Sequence, residues 1–177
     1  MVYYADEIAR ELSDSNQSIR KAIIRLLGEK AYFPDGTLNR PYVASLVFSK
    51  RHLQRQLNAI VHPHVKQELE RRVAQYGGRL PFVLIEAALI YEAGLETMLD
   101  AVVVVDAEPE VRIRRVVERD RVRPEEVHRR MKAQWSQQEK LRRADYIISN
   151  NGSLQELETA VGFLYNLFLQ RYQEGRQ

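Results

Sequence analysis

Strand-like and helix-like stretches alternate along this 177-residue chain and mark it as an α/β protein, a parallel sheet flanked by helices. Three observations carry that reading. Residues 101–105, AVVVV, are an unbroken β-branched run between Asp100 and Asp106, as suits a strand buried on both faces of a parallel sheet. A helix pattern follows at once: Asp106 or Glu108 can cap it, Pro109 fits its first turn, and Val111, Ile113, Val116 and Val117 form one apolar stripe. Residues 80–85 and 145–149 read as further strands. The second of these leads through the turn Asn150-Asn151-Gly152-Ser153 into an amphipathic helix carrying Leu157, Val161, Leu164, Leu167 and Phe168.

At the start of the chain, Val2 and Tyr3 read as the tail of a strand. Asp6 then opens a helix carrying Ile8, Leu12, Ile19, Ile23, Leu26 and Leu27. A carboxylate at a strand-to-helix junction points into the crevice above a parallel sheet, so Asp6 is a candidate catalytic group; it can equally serve as an N-cap. Residues 33–37 form a turn by their Pro, Asp and Gly content, followed by a helix through Val43, Leu46, Val47 and Phe48. Residues 50–76 predict a long polar helix, with Pro63 permitting a kink. His62 and His64 lie two apart and do not share a helix face, which argues against a metal pair, but a kink could tip His62 towards a cleft. A surface or capping role remains open for it. Glu86, at the C-terminal edge of the 80–85 strand, could orient a sugar hydroxyl or a metal-bound water, or be a solvated strand end.

The charge is distributed unevenly. Residues 110–143 hold twelve Lys or Arg against six Asp or Glu, although the whole chain carries only +3. Two successive helices are expected there, one after residue 106 and one from Pro124 to about Arg143. Their shared positive face suits a lid over phosphate better than a nucleic-acid track. A hydrophobic content of 45% and a charged content of 29% suit one domain over residues 1–177. The absence of cysteine excludes disulfides, thiolate metal sites and a cysteine nucleophile, and is compatible with the cytoplasm. No stretch has the apolar length of a membrane span.

Several strings, taken together and in order, resemble the dephospho-coenzyme A kinase family. They are residues 5–10 (ADEIAR), 35–40 (DGTLNR), Leu57-Asn58 with His62-Pro63, and 89–92 (LIYE). Further along come Arg115 with Arg119-Asp120, Arg130 with Gln134, and Ala144-Asp145 running into 150–152 (NNG). The resemblance implies a P-loop kinase-like fold with a helical substrate region near residues 38–76 and a basic helix and lid near 107–143. It implies transfer of the ATP γ-phosphoryl group to the ribose 3′-hydroxyl of dephospho-coenzyme A, with Mg2+, in the last step of coenzyme A biosynthesis. Asp6 matches the carboxylate that accepts the hydroxyl proton. Asn58, His62 and Glu86 fall at substrate-binding positions. Arg115, Arg119 and Lys140 match lid positions near the phosphates, and Asn150, Asn151 and Gly152 match the loop beside adenine. Fixed positive charge around a transferring phosphoryl group is the main catalytic need of such chemistry.

The chain departs from the family at Tyr4 and Glu86, where aspartate is frequent, and at Ala88, where proline is frequent. It also contains no G-x-x-x-x-G-K-[ST]. In this fold the first strand and phosphate loop come before Asp6, so the expectation is a chain without them, inactive on its own and with a central strand position vacant. A non-catalytic nucleotide- or coenzyme A-binding module is the alternative. A basic nucleic-acid-binding domain is a third, disfavoured by the lack of an aromatic stacking run.

Overall fold

The computed structural model describes residues 1–47 and 50–175. The chain forms two compact units, Met1–Ala88 and Leu89–Gln177.

In the first unit, β1 (Val2–Tyr4) pairs in parallel with β2 (Leu84–Glu86), with Val2 opposite Leu84 and Tyr4 opposite Glu86. The strand expected over 80–85 is therefore shorter and later, and it includes Glu86. Four helices lie between the two strands: α1 (Ala5–Ser15), α2 (Gln17–Leu27), α3 (Arg40–Val47) and α4 (Arg51–Ala74). The single helix read from Asp6 to Leu27 is broken at Asn16. Its side-chain oxygen accepts from the Ser18 and Ile19 N–H groups at 2.9 and 3.1 Å, so the asparagine ends one helix and caps the next. The apolar faces of α2 and α3 meet in a core of Ile19, Ile23, Leu27, Ala31, Tyr32, Val43 and Val47. The Tyr32 hydroxyl donates to the Ser13 carbonyl at 2.9 Å, which satisfies the buried phenol. The 33–37 turn is present, held by Asp35, which accepts from the Thr37 N–H and hydroxyl. Phe48, assigned above to the end of α3, lies outside the described residues.

α4 runs unbroken through Pro63. His64 Nδ1 sits 2.9 Å from the Ile60 carbonyl, and because a carbonyl only accepts, that nitrogen carries the proton. Near the C-terminal end of α4, Glu68 accepts from Arg71 and Arg72, and Arg72 also reaches Glu11 of α1 at 2.8 Å. Helix α4 is thus tied to α1 by charge as well as by packing.

In the second unit, β3 (Val103–Asp106) pairs in parallel with β4 (Tyr146–Ser149), with Asp106 opposite Ser149. The run at 101–105 enters its ladder two residues late. The Val102 N–H donates to the Asp145 carboxylate at 2.8 Å, while the Asp145 and Tyr146 N–H groups both reach the Val102 carbonyl, so a side chain takes the place of the first ladder bond. Nor is the strand covered on both faces, since Val105 is 52% exposed. Among the described residues the sheet consists of these two separate parallel pairs.

Helices α5 (Pro109–Asp120), α6 (Pro124–Ala133), α7 (Gln137–Arg143) and α8 (Leu154–Glu174) complete the unit. Glu108 takes the cap position of α5 and Pro109 its first turn, as expected. α5 closes on Arg121, whose φ of 54° is left-handed, a conformation that lets the chain reverse into α6 at a steric cost. The helix expected from Pro124 to Arg143 is two helices, interrupted at residues 134–136.

The Glu68 cluster gives a pH prediction. Hydrogen bonds from Arg71 and then Arg72 lower the Glu68 carboxyl from 4.5 to about 2. A pKa lowered in the folded state contributes stability that is fully present above 4.5 and is lost as pH falls towards about 2. In urea denaturation across that window, Glu68→Gln should flatten the acid-side decline of stability relative to the parent chain. An identical decline in the two proteins would place the acid sensitivity elsewhere.

Candidate functional site

Each unit carries its own group of the residues singled out from the sequence. In the first unit, Asp6 stands in the first turn of α1 and is exposed. It is not the cap. Tyr4 holds the N-cap position with extended backbone and no side-chain cap bond, so Asp6 is two residues inside the helix start and favours the helix dipole without closing it. The β1/β2 register sets Glu86 beside Tyr4, which immediately precedes Ala5 and Asp6. Two exposed carboxylates therefore emerge where two adjacent parallel strands end, the edge at which α/β folds bind ligands. On α4, Asn58 and His62 are half-buried and four residues apart, so they share a helix face. His64, engaged with its own helix carbonyl, does not join His62. Among the described residues no three His, Asp or Glu side chains cluster as a metal site.

In the second unit, parallel pairing of β3 and β4 places the segments after them side by side. The Asn150 N–H donates to the Asp106 carbonyl at 2.6 Å, and the Asn151 side-chain oxygen accepts from the Glu108 N–H at 2.7 Å. Arg115 Nη1 donates to the Asn150 carbonyl at 2.7 Å. These bonds fix the 150–152 loop against the start of α5. A Cβ at Gly152 would meet the Glu156 carboxylate, the mobile end of the side chain that closes a reciprocal cap on α8 with Ser153.

Arg115 and Arg119 project from α5 one turn apart but have different partners. Arg119 is 74% exposed and donates to Asp120 at 2.7 Å. Asp120 also accepts from Arg130 of α6 at 3.1 Å, and the two arginines, Arg119 foremost, hold its carboxyl below the usual carboxylate range. Arg112, within the basic 110–143 stretch, points inward. Its Nη1 reaches Gln137 at 3.3 Å, and Gln137 in turn donates to Asp106 at 2.9 Å, joining α5, α7 and β3. Lys140 is only 14% exposed and lies 3.7 Å from the Glu92 carboxylate. The sequence reading assigned no role to Gln137, Glu92 or Trp135. A lone tryptophan in an otherwise charged helical stretch was the one available signal.

A protein-family model described as dephospho-CoA kinase matches residues 1–156. A dephospho-CoA kinase of Salinibacter ruber is 40% identical over 167 residues, covering 93% of this chain and 83% of the relative. One from Moorella thermoacetica is 34% identical, covering 88% and 74%. Among solved structures, a Thermus thermophilus protein superposes with a TM-score of 0.76 at 33% identity over 93% of this chain and 83% of its own. A dephospho-CoA kinase from Campylobacter jejuni gives 0.66 at 24% identity over 99% and 86%, and supports the fold. With a parallel α/β framework, carboxylates at one strand edge and arginines set beside another, this chain belongs to the dephospho-CoA kinase family.

Proposed function

We propose that this chain, when joined to a phosphate loop, transfers the γ-phosphoryl group of ATP to the ribose 3′-hydroxyl of dephospho-coenzyme A. In that step the 3′-oxygen forms a bond to the γ-phosphorus, the bond to the β–γ bridging oxygen breaks, ADP leaves, and the hydroxyl proton passes to Asp6. The observation that supports it most is the exposed Asp6 carboxylate at the β1–α1 junction, with Glu86 ending the neighbouring strand. An aspartate within reach of the attacking hydroxyl is the usual proton acceptor in phosphoryl transfer. Asn58 and His62, on one face of α4, are suited to the acceptor substrate, and Glu86 to a sugar hydroxyl. The loop of Asn150, Asn151 and Gly152, fixed by Arg115, is suited to the adenine of ATP. Arg119 is free to exchange Asp120 for a phosphate oxygen, because a surface ion pair of this exposure holds it weakly. Lys140 adds positive charge from α7.

The reading takes residues 1–177 as one catalytic domain of a cytoplasmic enzyme; no described helix is long and apolar enough to cross a membrane. For Mg2+, the described residues build no three-ligand site, and this ion commonly takes one or two carboxylates with the remainder from substrate phosphates and water. No step here passes through it.

The 177 residues contain no G-x-x-x-x-G-K-[ST], and this favours a second reading in which the chain alone binds ligand without turnover. One experiment separates the two. The purified chain and the same chain joined at Met1 to a strand, phosphate loop and helix are assayed with ATP and dephospho-coenzyme A. Negligible turnover is expected from the first and clear turnover from the second; no turnover in either supports the binding module. In the loop-bearing chain, Asp6→Asn should lower kcat about 100- to 10000-fold while the KM for dephospho-coenzyme A changes little, because the amide keeps the shape but takes no proton. Wild-type kcat would leave Asp6 only its place beside the helix dipole.

Arginine identity should matter at Arg119. A guanidinium offers paired donors to phosphate oxygens that an ammonium lacks. Arg119→Lys should therefore lower kcat more than it raises the ATP KM, while Arg114→Lys, on the exposed face of α5, should behave as the parent. Near-parental kinetics for both variants would make Arg119 a surface residue.

A further inference from the structure

The basic stretch after α5 breaks at residues 134–136, where neither glycine nor proline lies; Ser136 caps α7 there, its hydroxyl accepting from the Glu139 N–H at 3.2 Å. The break is anchored from outside through a backbone group. The Trp135 N–H donates to Glu92 Oε1 at 2.7 Å. Glu92 lies in the turn between Leu89 and Leu95, itself closed by backbone bonds from Ala93 to Leu89 and from Leu95 to Ile90. The same Glu92 oxygen is 3.7 Å from Lys140 Nζ, and that ammonium donates to the Gln134 side-chain oxygen at 3.1 Å. One carboxylate thus faces both ends of the break, the backbone at Trp135 and the charge one turn into α7.

Three further features mark the place as built. The Glu92 and Lys140 side chains are only 13% and 14% exposed, so their attraction is little screened. The second Glu92 oxygen is fully buried with no hydrogen-bond partner, a cost a fold rarely carries without return. The Trp135 indole lies parallel to Tyr91 at 5.9 Å between ring centroids, and the Arg143 guanidinium lies 4.6 Å from the indole centre. Tyr91 is a buried neighbour of Glu92 in the same turn. The aromatic contacts hold the indole and the Ser136 cap starts α7, while the carboxylate takes the N–H of residue 135 that the break frees from the helix.

We propose that Glu92 is a positioning residue for the lid. It fixes the α6–α7 break at Trp135 and sets Lys140 at a defined place, and it acts on phosphoryl transfer through those groups without touching either substrate. The proposal rests on the kinase reading for its catalytic part, but its anchoring part stands without it.

The test has two arms. Trp135 is the only tryptophan, so its emission reports the break directly in the 177-residue chain. Glu92→Ala, which removes both acceptors, should shift that emission to the red and at least double its quenching by acrylamide, with far-ultraviolet circular dichroism unchanged. Glu92→Gln, whose amide oxygen can still accept from Trp135, should stay close to the parent. Parental emission and quenching in Glu92→Ala would overturn the anchor; should that variant not fold, Glu92→Asp, whose shorter side chain cannot span to Trp135, replaces it with the same expected change. In the loop-bearing chain, Glu92→Gln should lower kcat about tenfold with less than a twofold change in the KM for dephospho-coenzyme A. Adding it to Lys140→Met should change kcat no further, because the residue acts through that lysine. Effects of the two substitutions that multiply independently would overturn the catalytic part. Absence of turnover in the loop-bearing parent would instead sink the kinase reading, and with it the catalytic part, leaving the fluorescence result to decide the anchor.

Discussion

Parallel strand pairing is the constraint on which both groups of candidate residues depend. In a parallel pair the two strands end on the same side, so whatever follows each strand is delivered to one edge. The Tyr4–Glu86 register does this for Asp6 and Glu86, and the Asp106–Ser149 register does it for the start of α5 and the 150–152 loop. A one-residue slip in either ladder would turn these side chains to the other face. In the second unit the register is protected by side-chain and backbone bonds beyond the ladder at both ends. Asp145 holds the Val102 N–H before the ladder begins, and Asn150 and Asn151 hold Asp106 and Glu108 after it ends.

The helices then divide the work by how they are held. Arg112 and Arg115 leave the same helix as Arg119, but both are fixed by neutral oxygens, the Gln137 amide and the Asn150 carbonyl. Neutral acceptors leave the guanidinium charge uncompensated. That is the arrangement wanted where positive potential must be presented to a ligand while the side chain stays in place.

Much of this was legible from the residues and some was not, for identifiable reasons. The strand at 103–106, the Pro109 helix start and the 33–37 turn follow from local chemistry: β-branched runs, a proline at a first turn, a Pro-Asp-Gly sequence. The breaks at Asn16 and Trp135 were missed because each depends on a bond that the periodicity of apolar residues does not register. At Asn16 the bond is local, and cap chemistry could have found it. At Trp135 the Ser136-to-Glu139 cap is local and could likewise have been found, but the Glu92 partner is 43 residues away and no local pattern encodes that bond. The same limit applies to Arg112. Its helical spacing gives the face it occupies but not that α7 covers that face through Gln137. For the candidate site, the residue strings singled out Asp6, Arg115 and the 150–152 loop as candidates, while the bonds that fix Arg115 and the loop are all contacts between segments distant in sequence.

The contrast between Arg115 and Arg119 bears on how a lid of this kind could close. An arginine that must change partners during a catalytic cycle cannot be held tightly in the resting state, because its resting bond is lost in full when the new one forms. Arg119 meets that condition: its partner is the adjacent residue on the chain, its side chain is mostly in water, and Asp120 keeps Arg130 as a partner after Arg119 departs. Releasing Arg119 therefore leaves no buried charge unpaired, the circumstance in which breaking an ion pair is expensive. Arg115 meets the opposite condition, since letting go of the Asn150 carbonyl would loosen the loop it secures. The two arginines, one turn apart on one helix, are thereby suited to different tasks, one to move with the phosphate and the other to keep the site in shape.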